Sequence, residues 1–193
     1  MSLPQLLREI NACRVCEANL PHGPRPVLRV SSGATLLIIS QAPGSKVHQT
    51  GIPWNDASGD RLRDWMNLDR CTFYDETRVS FVPIGLCYPG AEPNGGDKPP
   101  RPECAALWHE RVLEYLPNVQ LTLLVGQYSQ KHYLGSRRKI SMTETVKAFR
   151  EYGPKFFPLP HPSWRSRIWM GKQPWFEQML IPQLRRAVQR VIA

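Results

Sequence analysis

No apolar run in this 193-residue chain approaches the roughly 20 residues a helix needs to cross a bilayer. That excludes a helical membrane protein. A cleavable leader is not expected either, because the first residues, LPQLLREINACRVC in positions 3–16, are polar and periodic. The expectation is a soluble, cytoplasmic, monomeric protein. Internal repeats and low-complexity tracts are also missing, which sets aside solenoids and disordered linkers. Acidic residues are scarce in one place: residues 136–193 hold three Asp and Glu against twelve Lys and Arg, whereas residues 1–135 hold thirteen of each. The whole formal charge of +9 therefore falls in the last third. A positive field so concentrated favours a polyanion, of which nucleic acid is the commonest; the plain alternative is a solvated basic surface.

What is present is an alternation of short apolar runs and helix-length segments. Residues 34–40 (ATLLIIS), 79–84, 120–125 and 156–160 read as strands, the first being continuous enough for burial on both faces. Helices are expected over residues 3–12, from about Ser58, over 103–115, from Gln127 towards Leu134, over 141–152 and from about Pro174 to Val191. Residues 45–59 read as a long polar loop and 85–102 as a glycine- and proline-rich one. Strands separated by such helices imply right-handed crossovers, hence an α/β fold over residues 1–193. The expected architecture is a single domain with a central four-stranded parallel sheet and helices on both faces.

Two strand ends carry the polar turns. The last strand runs into His161-Pro162-Ser163, followed by Trp164 and Arg165; the first ends in Ser40-Gln41-Ala42-Pro43-Gly44. Carboxyl ends of parallel strands are where α/β folds place ligands, so the two turns imply one cleft. Among five cysteines, Cys13 and Cys16 form a C-x-x-C, while Cys87 and Cys104 flank the proline-rich loop. The pair follows a helix and precedes proline-rich coil, which fits metal ligands better than a redox motif. Four thiolates suit tetrahedral zinc or an iron-sulfur cluster, and spacing alone does not choose.

Taken together, C-x-x-C, strand, A-P-G, G-x-P-aromatic (Gly51 to Trp54), S-G (Ser58-Gly59), a later cysteine pair and H-P-S resemble the iron-sulfur-containing uracil-DNA glycosylases of the uracil-DNA glycosylase superfamily. The likeness runs from Cys13 to the last helix. It implies a [4Fe-4S] cluster on Cys13, Cys16, Cys87 and Cys104, with zinc as the alternative, and an enzyme of base excision repair that removes uracil or a related deaminated base from single- or double-stranded DNA. It implies further that Ala42, Pro43 and Trp54 line the base pocket. His161, Gln41 and Asp56 would carry the chemistry, and Ser58, Ser163, Trp164 and Arg165 would hold DNA.

Two positions depart from that pattern. The acid of the first turn is replaced by Gln41, which orients water but takes no proton. The asparagine expected four residues before the third cysteine falls on Pro83, which has no side-chain donor. Each residue also has a plainer reading: Trp54 as core, Asp56 as the cap of the helix near Ser58, His161 as structural. Two rivals follow, a protein of this fold that binds lesions or single-stranded DNA without cutting, and a zinc-stabilised enzyme of free nucleosides or nucleotides. Arg137, Arg138, Lys139, Arg165, Arg167 and Lys172 are expected near phosphates, whereas Trp169, Trp175 and Phe176 are expected to pack the last helix.

Overall fold

The computed structural model describes residues 1–164 and 166–193. Its helices and strands follow in order as α1 (Leu3–Asn11), β1 (Leu36–Ile39), α2 (Ser45–Thr50), α3 (Ala57–Met66), α4 (Arg70–Phe73), β2 (Val79–Phe81), α5 (Pro102–Leu113), β3 (Leu121–Val125), α6 (Gln127–Leu134), α7 (Met142–Lys147), β4 (Phe156–Leu159), α8 (Ser166–Gly171) and α9 (Ile181–Ile192). The four strands form one parallel sheet, as expected, and its order is β2-β1-β3-β4. From β1 the chain crosses to β2 on one side and then to β3 on the other, which opens a crevice at the strands' carboxyl ends.

Side chains along each strand alternate between two apolar layers. Leu36 and Ile38 of β1 join Leu123 and Val125 of β3 and Leu184 and Val188 of α9 in one; Leu37 and Ile39 join Leu6 and Ile10 of α1 and Val112 of α5 in the other. All eleven are fully or almost fully buried. At about 1.5–3 kcal/mol for each large aliphatic side chain, the two layers supply most of the drive to fold. Phe176 and the partly buried Trp169 and Trp175 pack on the α9 side, as their sequence setting suggested.

Caps define the helix starts. Ser2 and Gln5 form a reciprocal capping box on α1, and Asp56, Asp69 and Ser141 cap α3, α4 and α7 through side-chain oxygens. The sheet's borders are specific too. Residues 27–31 run along the outer side of β2, with Arg29 and Phe81 exchanging two backbone hydrogen bonds of 2.9 and 2.7 Å. On the far border, the carbonyls of Lys155 and Leu159 accept from Thr122 and Gly126. Odd-numbered residues of β4 thus face β3, and Pro158 turns its ring nitrogen outward.

Differences from the sequence expectation have local causes. The polar stretch after Gly44 contains α2, closed by Gly51 at φ 72°; with Val47 as its buried residue, it offers no periodicity to read. The expected helix 141–152 turns into a 3₁₀ turn over Phe149–Tyr152, and the last helix holds a π-helical turn over Phe176–Leu180 before α9. The short α4 and α8 were not expected.

A buried histidine joins α5 to the sheet. His109 is 2% exposed, with Nε2 2.9 Å from the carbonyl of Pro83 and Nδ1 2.6 Å from the hydroxyl of Tyr133. A carbonyl only accepts, so Nε2 carries the proton and Nδ1 accepts from Tyr133. Burial holds this histidine's pKa down to about 4, against 6.5 for a free one. Between pH 6.5 and 4 the unfolded chain therefore takes up a proton that the folded one refuses, and stability falls as pH falls through that window. Urea unfolding should show this decline in the wild type. It should be shallower in His109→Gln, by up to about 3 kcal/mol across the window.

Candidate active site

The carboxyl ends of β1, β2 and β4 enclose a cavity of about 360 Å³. Gln41, Ala42 and Pro43 from the turn after β1, Trp54, Asp56 and Ser58 from the entry to α3, and His161, Ser163 and Trp164 from the turn after β4 all line it. The nine described residues expected at the site thus converge; the tenth, Arg165, lies outside the described residues. Pro83 forms part of the same wall.

Each functional side chain is held by its neighbours. The β4 turn is clamped from α3, where Arg61 Nη1 donates to the carbonyls of Pro162 and Ser163 at 2.9 and 2.7 Å. Ser166 Oγ donates to the carbonyl of His161. Below the turn, Gly126 at φ 87° leaves 3.6 Å between an imagined Cβ and that of His161, and buried Gln130 donates to the Leu159 carbonyl at 2.8 Å. Arg61 and Gln130 carried no sequence signal, since an arginine and a glutamine on amphipathic helices read as solvated faces.

Trp54 is unusual in backbone and in surroundings. Its φ of 58° lies in the left-handed region that bulky residues avoid, at a cost on the order of 1–3 kcal/mol. Tyr74 donates to the Pro53 carbonyl at 2.8 Å, which braces the turn. A Cβ on Gly59 would sit 1.8 Å from the Trp54 carbonyl oxygen, so glycine there is a steric requirement. The indole is 8% exposed, belongs to an apolar core layer, and stacks on His161 with ring centres 5.8 Å apart and planes 24° from parallel. A base inserted between two rings needs about 7 Å, twice a carbon contact. As folded, then, the pair is one wall of the pocket, and the core and pocket readings of Trp54 both describe it.

The electrostatics follow from enclosure. Desolvation pushes the pKa of His161 down, and the charge of Asp56 only partly opposes it, so the ring is neutral at pH 7. Asp56 caps α3 with Oδ1 accepting from Gly59 N at 2.8 Å, while Oδ2 lies near Gly44 on the pocket side. Gln41 donates from Nε2 to the Lys98 carbonyl at 3.3 Å, and its own carbonyl accepts from Gly85 N at 2.9 Å. It therefore ties the 85–102 loop onto the first turn. That loop adds Asp97 to the wall, a residue that nothing in an N-G-G-D-K-P-P stretch marks as special.

A family model described as the Uracil DNA glycosylase superfamily matches residues 29–185. The chain belongs to that superfamily. Its four-stranded parallel sheet agrees with membership, and superfamily membership supports DNA as substrate and glycosidic hydrolysis as the class of reaction. No described helix is long and apolar enough to cross a membrane.

The cysteines lie apart from the pocket. Cys16, Cys87 and Cys104 are buried in the α1 and α5 layer, with Cys13 half-buried beside it. Desolvation raises the thiol of Cys87 to about 12 and that of Cys104 to about 11, and each feels the charges of Cys13 and Cys16. Backbone N–H groups of Arg25 and Leu86 oppose the rise by bonding those two sulfurs. Among the described residues no group of three or more His, Cys, Asp or Glu is arranged to hold a metal ion. The expected phosphate contacts also stand elsewhere. Lys139 pairs with Glu151, Arg137 lies over Phe156, and neither these nor Arg138, Arg167 and Lys172 line the cavity.

Gly59→Ala tests the wall directly. The roughly 1 kcal/mol that alanine gains in a helix is outweighed by overlap with the Trp54 carbonyl. A loss of about 3 kcal/mol in urea unfolding is expected, with a changed near-ultraviolet dichroism as Trp54 leaves His161.

Proposed function

We infer that this chain hydrolyses the N-glycosidic bond of a base extruded from DNA, and that the base is uracil or a related deaminated base. The observation that carries the reading is the meeting of Gln41, Trp54 and His161 in one enclosed pocket of superfamily type. Extrusion costs a few kcal/mol, which pocket contacts must return. Trp54 and Pro43 offer apolar contact to the base. Ser163 and the N–H groups of its turn suit a phosphate, with the exposed Trp164 beside the opening to fill the vacated stack.

As the bond breaks, negative charge collects on the departing base. Neutral His161 donates a hydrogen bond to it without first having to lose a proton, the role donors play in an oxyanion hole. Gln41 keeps an amide oxygen to accept from water, and Asp56 places negative charge near the sugar as it turns cationic. The basic last third supplies the long-range attraction to DNA.

The same reading extends to the subgroup with a cluster. Burial keeps the thiols of Cys87 and Cys104 protonated in the bare protein; a [4Fe-4S] cluster or zinc would displace those protons, and the backbone N–H groups at the two sulfurs beside a C-x-x-C would suit the resulting thiolates. Cys13, Cys16, Cys87 and Cys104 would hold the group, whose contribution would be to bind α1, α5 and the 85–102 loop together. Free cysteines are in keeping with the cytoplasmic reading. Protein purified without oxygen should be brown, with equal iron and sulfide and absorption that bleaches on reduction. Colourless protein holding one zinc would select the alternative.

A second reading, a lesion-binding protein that does not cut, rests on Gln41 and Pro83, which lack the family's acid and base-reading amide. Incubation with uracil-containing single- and double-stranded DNA, then alkali, separates the two. Strand breaks are expected, with turnover reduced about 10²–10³-fold in His161→Ala and DNA affinity changed only a few-fold. Absence of breaks with uracil, hypoxanthine and xanthine alike would leave the binding reading standing.

A further inference from the structure

The pocket contains a carboxylate that the expected site did not include. Asp97 lies in the loop after β2, in a small hairpin closed by backbone bonds from Glu92 N to the Gly96 carbonyl and from Lys98 N to the Gly90 carbonyl, both 2.8 Å. Its neighbour Lys98 is the residue whose carbonyl Gln41 holds. Tyr88, buried beneath the hairpin, bonds the Asp97 side chain. Asp97 is exposed to solvent at the mouth of the pocket, and the hairpin bonds and the Tyr88 hydroxyl hold its backbone and side chain in place there.

Its position is read from Gly44, the last residue of the first turn. A Cβ built there would lie 3.5 Å from Asp97 Oδ2 and 4.0 Å from Asp56 Oδ2, so the two carboxylates flank one small volume over the turn. Of the two, Asp56 has Oδ1 committed to the α3 cap, and its charge is felt by His161 on the leaving-group side. Gln41 occupies the place of the family's acid but cannot take a proton, and it anchors the residue beside Asp97.

We propose that Asp97 is the catalytic base of this pocket, delivered to the first turn by Gln41 acting as a positioning residue. The inference rests on the glycosylase reading and deepens it. As the C1′–N bond breaks, its electron pair leaves on the base. A water held over Gly44 bonds C1′ through oxygen, its proton passes to the Asp97 carboxylate, and the base anion is protonated from solvent. Until water arrives, the same carboxylate faces the cationic sugar and lowers its energy.

Two measurements on the full chain test this. In single-turnover assays on uracil-containing DNA, Asp97→Asn should slow base release about 10²–10⁴-fold while DNA affinity changes less than about threefold. Independent of turnover, wild-type protein should bind a duplex carrying a protonated pyrrolidine in place of one sugar at least tenfold more tightly than the same duplex carrying neutral tetrahydrofuran. Asp97→Asn should abolish that preference at an unchanged melting temperature. Gly44→Ala, whose φ of −82° accepts alanine and whose methyl makes only ordinary contacts, should slow release by filling the water's place. Full activity in Asp97→Asn, an undiminished preference for the cation in it, or no preference in the wild type would overturn the proposal. Wild-type protein that releases no base yet prefers the cation through Asp97 would overturn the proposed reaction, and with it the role of Asp97 as base, while leaving its contact with a cationic sugar standing.

Discussion

Parallel pairing of β1 with β2 on one side and β3 on the other is the constraint on which the rest of the molecule depends. Parallel strands all finish at one edge of the sheet, and each needs a crossover that covers a face. The crossovers bury both faces, so polar groups have one exit, the carboxyl edge. Ser40-Gln41, Pro83 and His161 arrive there from three strands far apart in sequence. The pocket is the place where a sheet with two dry faces lets its chain become polar again.

Enclosure then decides the chemistry. His161 is partly desolvated by the same packing that seats Trp54 against it, and its lowered pKa leaves a neutral ring able to donate. The strained backbone at Trp54 persists because the missing side chain at Gly59, the Tyr74 bond and the core around the indole over-determine it. Cations are handled in the opposite way. Arg61 is spent on two carbonyls of the β4 turn, and Lys139 on Glu151, so positive charge near the sheet serves architecture while the overall basic field serves DNA.

Much of this was legible in the chain before any coordinates. Four apolar runs of strand length gave the sheet, since burial on both faces removes polar residues from a strand. The turns Gln41 to Gly44 and His161 to Ser163 pointed to the pocket that they line, because proline and glycine after a strand mark the exit. Asp97 and Arg61 were not legible: one sits in a loop rich in Gly and Pro whose path depends on the Gln41 amide, the other on a helix face that looks solvated. Helix α2 escaped for a different reason, that six residues with a single buried side chain have no period. The cysteine pairs were visible by spacing, and the structure adds backbone donors at two of the sulfurs, which no spacing shows.

The borders of the sheet have a consequence for life in a crowded solution. On the β2 side, residues 27–31 lie over the strand's outer edge as an irregular segment held by the Arg29 and Phe81 exchange, and on the β4 side Pro158 interrupts the row with a position that cannot donate. A second chain that tried to extend the sheet would meet an irregular segment at one end and a gap in the ladder at the other. Growth into fibrils by strand addition is thus discouraged at both ends, and the protein can wait at high concentration between encounters with damaged DNA.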